Sequence, residues 1–148
     1  MGILTHINNA ISDLSLSSSV ITFGTDSEQN IYADDVASGG TFIGIYPYSV
    51  EVEKPHKIFN TYSVNIFWGK LATFDQAMTA REGELANLET LAKKFIYKLE
   101  ARVRAAGELQ GALDTFSINA NRFNSTDANL DGVFLSFQLK TQENIDGC

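Results

Sequence analysis

The sequence predicts an α+β fold, with a mainly antiparallel sheet of about five strands packed by one long helix and a short N-terminal helix. Three observations carry this. A long run of apolar residues at steps of three and four sits between start and stop signals over residues 80–106. Period-two alternation recurs before and after it. No repeat, low-complexity tract or Gly/Pro/Ser-rich linker interrupts the chain, so residues 1–148 read as one domain.

Residues 3–16 place Ile3, Leu4, Ile7, Ala10, Ile11 and Leu14 at helical spacing, with Asn8, Asn9, Ser12 and Asp13 opposite, which predicts a short amphipathic helix. After the polar break Ser15–Ser19, Val20-Ile21-Thr22-Phe23 reads as a brief strand closed by Gly24. Residues 24–40, acidic and small around Ile31 and Tyr32, read as an extended loop, a length that in compact domains tends to mark function. Residues 42–53 then alternate as one long strand. Pro47 cannot donate to a ladder, so this strand lies at an edge or is bulged there. Lys54-Pro55-His56-Lys57 turns the chain into a second strand from Ile58 to Trp68. Tyr62, Val64, Ile66 and Trp68 share one face of it, and Ser63, Asn65 and Phe67 the other. The two strands should pair as a long hairpin.

Thr79-Ala80-Arg81-Glu82 reads as a capping box opening the long helix. Leu85, Leu88, Ala92, Phe95, Leu99 and Val103 form its buried stripe, and Gly107 provides the left-handed stop. At 1.5 Å per residue its roughly 27 residues span about 40 Å, enough to lie across a whole sheet. Residues 113–122 alternate weakly, with Phe116, Ile118 and Ala120 on one face, and residues 123–132 turn into the last strand. There Val133, Leu135, Phe137 and Leu139 point inward and Ser136, Gln138 and Lys140 outward, before a polar C-terminal tail over 141–148.

A chain of this length buries roughly 70 % of its unfolded surface, so its core needs no staples. The only cysteine, Cys148, is the last residue and cannot cross-link the fold. Met1-Gly2-Ile3-Leu4-Thr5-His6 has neither a secretory pattern nor the Ser/Thr of a myristoylation signal, and no membrane span is expected. A net charge of −7 argues against nucleic-acid or anionic-membrane binding by field alone. Lys93, Lys94, Lys98, Arg102 and Arg104 gather in the second half of the long helix, and Glu82, Glu84 and Glu89 in the first. That sorting suits the helix dipole, and Glu89–Lys93 and Glu100–Arg104 fall at the favourable four-residue spacing.

Asp127-Ala128-Asn129-Leu130-Asp131-Gly132 satisfies the first half of a calcium loop. Position twelve, however, is Gln138, and the flanks read as strand, so a tight turn is expected instead. His6 and His56, 50 positions apart, have no companions for a triad or a zinc site. Asn124-Ser125-Thr126 is a formal sequon with no secretory context, and Gly24 and Gly39-Gly40 match no phosphate loop. The expectation is therefore no enzyme: no catalytic, cofactor-binding or metal residues and no cofactor. The aromatics Phe42, Tyr46, Tyr48, Tyr62 and Trp68 sit on two neighbouring strands, as core or as a sheet surface offered to another subunit.

The elements follow in a definite order: the short first helix and strand, the hairpin around TFIGIYPYSVEVE and TYSVNIFWG, the helix around LETLAKKFIYKLE, and the closing pair FSINA and DGVFLSFQLK. This order resembles that of the tail-terminator and tail-completion (neck) proteins of tailed bacteriophages. The resemblance implies a structural virion protein, assembled in the host cytoplasm into a homo-oligomeric ring, six- or twelve-fold, that joins the head connector to the tail. Its implied partners are copies of itself and neighbouring portal, connector or tail proteins, with DNA passing through the ring without sequence-specific binding and no membrane contact. Residues 24–40 and 141–148 are the implied inter-subunit or axial segments. A different class fits the same elements: a small monomeric α+β module presenting a sheet face or edge to a partner.

Overall fold

A computed structural model describes residues 2–16, 18–25, 40–55, 57–71, 78–124 and 129–143. In chain order the elements are α1 (Ile3–Ser12), β1 (Ser19–Phe23), β2 (Thr41–Ile45), β3 (Ser49–Glu53), β4 (Ile58–Leu71), α2 (Met78–Ala105), β5 (Phe116–Asn124) and β6 (Asn129–Glu143). They form an α+β fold, with one six-stranded, mostly antiparallel sheet in the order β1-β2-β4-β6-β5 and β3 alongside β4.

The buried stripe of α2 explains its length. Leu88, Ala92, Phe95, Leu99 and Val103 recur every three or four residues and are all buried. They meet Val64, Ile66 and Trp68 of β4 and Val133, Leu135, Phe137 and Leu139 of β6, the inward sets expected from alternation. Phe95 holds the centre, its ring 5.2 Å from Trp68 and 6.1 Å from Phe137. The helix ends as the sequence requires: Gly107 has φ 73°, its N–H donates to Arg104 O, and the Glu108 N–H donates to Val103 O. Its backbone begins at Met78, so Thr79 lies inside the first turn and not at the cap, and its side chain lies outside the described residues.

Alongside α2 runs α1, burying Ile3, Ile7, Ala10 and Ile11. Its two ends are tied by Asp13 to Arg102 at 2.6 and 2.7 Å and by His6 to Glu108 at 2.8 Å, which sets the two helices antiparallel.

Residues 42–53 are not one strand. Ile45 pairs with Ile66, and the next pair is Ser49 with Ser63, so Tyr46, Pro47 and Tyr48 oppose only Val64 and Asn65. This one-residue bulge sits where Pro47 lacks an N–H, and it raises the strand count from about five to six. It also changes the parity of the strand. Ile43 and Ile45 face the helices before the bulge; after it, Val50, paired with Tyr62, takes that side.

Two further expectations are corrected. Residues 141–143 are not tail but the end of β6, where Thr141 is buried and pairs with Asn60; residues 144–148 lie outside the described residues. Residues 123, 124 and 129–132 are strand and not turn, because β5 and β6 stay paired as far as Asn124 and Asn129. The region 26–39 of the expected loop also lies outside the described residues.

The face of the sheet away from the helices has its own small core of Phe42, Phe67 and Leu130, with Val20, Tyr46 and Phe134 packed against it. Beside it Gly69 and Gly132 oppose each other. A Cβ on Gly132 would lie 2.0 Å from the Trp68 carbonyl oxygen, so only glycine lets β4 and β6 approach there.

Candidate interaction surface

The residues with chemistry to offer are dispersed. His6 is buried in α1, and its Nε2 meets the half-buried Glu108 carboxylate across 102 positions of sequence. Burial pushes the Glu108 carboxyl up, but the hydrogen bonds and positive charges of His6 and the terminal amino group together outweigh it and hold the group below its ordinary range. His56, Cys148 and Asp127 lie outside the described residues. Asp131 is buried on β6 and takes a bidentate pair from Arg81 of α2, at 2.5 and 2.9 Å, so the carboxylate is spent on joining helix to sheet. Among the described residues no three His, Cys, Asp or Glu side chains are placed to share a metal ion. Among them, too, no helix is long and apolar enough to cross a membrane.

The basic half of α2 is largely paired within the chain. Lys93 meets Glu89 at 3.2 Å, Arg104 meets Glu100 at 2.9 Å, and Arg102 meets Asp13, whose carboxyl that hydrogen bond holds below its usual range. The two four-residue pairs are those the spacing predicts. The Arg102 and Arg81 pairs, 89 and 50 residues apart, had no signal in the sequence.

Of the aromatics on the hairpin, Phe42 and Trp68 are core, on opposite faces of the sheet. Tyr46 stacks on Phe134 at 5.6 Å, and Tyr48 meets Tyr62 edge-on at 5.5 Å. The open face below Phe134 turns polar. Ser136 Oγ donates to Asn65 Oδ1 at 2.6 Å, and Ser63, Ser117 and Gln138 continue a trough of about 740 Å³ that runs to the 110–115 segment.

The edges differ from both faces. Seven large apolar side chains stand exposed among the described residues: Ile21, Phe23, Tyr48, Val50, Val52, Phe116 and Tyr97. All but Tyr97 lie on or beside the edge strands β1, β3 and β5. Exposed apolar residues collected at strand edges are a surface on which another polypeptide can pair. Periodicity alone could not locate them, because which strand becomes an edge depends on topology.

Compared with protein-family models the chain finds no match, and a search of curated proteins likewise finds none.

Proposed function

We propose that this chain is a structural virion protein, one subunit of a homo-oligomeric ring in the neck or tail of a bacteriophage that joins the head connector to the tail. The observation that carries the reading is the gathering of exposed apolar side chains on strand edges: Ile21 and Phe23 on β1, Val50 and Val52 on β3, Phe116 on β5. A subunit with such edges gains by assembling side by side with its like. The element order that resembles tail-terminator and neck proteins supplies the setting, and portal, connector or tail proteins are the neighbours it implies. No enzymatic step belongs to this role.

A second reading is a monomeric α+β binding module, favoured by the polar trough of Ser63, Asn65, Ser117, Ser136 and Gln138. Light scattering behind a sizing column separates the two. The ring reading expects a defined multiple of 16.2 kDa that persists on dilution. A monomer of 16.2 kDa at every concentration would overturn it in favour of the module.

A further inference from the structure

We infer that neighbouring copies of this chain join edge to edge, the outer edge of β1, which no described strand covers, pairing antiparallel with the outer edge of β5, likewise uncovered among the described residues, on the next. This rests on the ring reading above and names the surface that would build it.

Polarity comes first. β1 is parallel to β2, and β2, β4, β6 and β5 alternate antiparallel, so β1 and β5 run in opposite directions at the two ends of the sheet. A copy displaced sideways, without being turned over, therefore sets its β1 antiparallel to β5 of the first copy.

Level and facing agree as well. One row across the sheet reads Phe23, Ile45, Ile66, Leu135, Ile118, and the next reads Ile21, Ile43, Trp68, Val133, Ala120. Continued into a second copy, these rows place its Phe23 beside Ile118 and its Ile21 beside Ala120, all on the helix-bearing face. Phe23 is 48 % exposed and Ile21 44 %, and both are covered by that pairing.

The backbone is ready on the β1 side. Gly24 N–H donates to Ile45 O and Ser18 O accepts from Thr41 N–H, so even-numbered residues of β1 address β2. Ser19, Ile21 and Phe23 accordingly turn their N–H and C=O groups outward.

Charge separates these edges from the third one. Proteins guard exposed edges with charges, prolines and bulges. β3 has all three, in Glu51, Glu53 and the Pro47 bulge. Ser19–Phe23 contains neither a charge nor a proline, and β5 contains no proline and a single charge, Arg122, outside the positions that meet Ile21 and Phe23. An antiparallel β3–β3 contact would also set glutamates against glutamates, whereas β1 and β5 bring no like charges together. Because the contact joins two different edges, it is head-to-tail and propagates until it closes.

The test uses the full chain with Ile21→Lys and, separately, Ala120→Glu, both at exposed positions. Circular dichroism checks that each keeps the wild-type fold; if Ile21→Lys unfolds, Phe23→Lys with Ile118→Glu, the facing positions of the next row, replaces the pair. Each variant alone should fall to the 16.2 kDa monomer by light scattering. An equal mixture should recover the wild-type mass. One junction is then wild type, and the other sets the introduced lysine of one variant against the introduced glutamate of the other. A folded variant that keeps the oligomeric mass, or a mixture that stays monomeric, overturns the β1–β5 contact while leaving the ring reading intact. A wild-type protein that never assembles overturns both.

Discussion

Arg81→Met should destabilise the fold by about 2–3 kcal/mol, through a carboxylate that loses its guanidinium partner. Asp131 is 3 % exposed and takes two hydrogen bonds from Arg81, whose own side chain is 42 % exposed. Breaking a fully buried pair costs about 3–5 kcal/mol, while an exposed pair contributes about 0–1 kcal/mol. Here the acid is buried and the base half in water, and Lys70, the cross-strand neighbour of Asp131, offsets part of the loss. Methionine keeps the apolar stem and the helix propensity of arginine, so the change isolates the charge. Urea unfolding followed by the fluorescence of Trp68, the only tryptophan and fully buried, reads the effect. With a slope of about 2 kcal/mol per molar, the midpoint should fall by roughly 1–1.5 M. Arg81→Met combined with Asp131→Asn should be less destabilised than the sum of the two single changes. A cost below about 0.5 kcal/mol for Arg81→Met, or strict additivity in the double variant, would refute the reasoning.

Glu108 titrates below its ordinary value of 4.5 in the folded chain, so its contribution is present above about pH 4.5 and lost as pH falls through the folded value. The urea midpoint should therefore drop as pH falls below about 4.5, and Glu108→Gln should flatten part of that drop; an unchanged profile would remove Glu108 as its source. Gly132→Ala should cost about 3 kcal/mol or more, because the new Cβ meets the Trp68 backbone at 2.0 Å. Gly69→Ala should cost less, since its nearest contacts, at 2.6 and 2.9 Å, are with the outer atoms of the Phe67 ring; equal losses in thermal unfolding would contradict this.

What the sequence disclosed was what local periodicity encodes. The α2 stripe, the inward sets of β4 and β6, the irregularity at Pro47 and the stop at Gly107 each follow from spacing or from one residue's backbone limits. What it hid depends on partners far away in the chain. Asp131 looks like a turn residue beside Gly132 and becomes a buried ligand of Arg81 only once α2 crosses β6. Phe67 falls with Ser63 and Asn65 on the face away from the helices, and Leu130 reads as a turn residue, yet they build a second small core with Phe42. His6 has no neighbour in sequence that announces Glu108. The largest gap was the sheet order itself. Ile21 and Phe23 read as an ordinary short strand, and only parallel pairing with β2 makes them an edge.

The most direct measurement is electron imaging of the purified wild-type protein taken from its sizing-column peak. A head-to-tail ring predicts closed annuli of uniform diameter with a central hole, built from a fixed number of subunits. Isolated 16.2 kDa particles, or two-fold dimers with no hole, would contradict it.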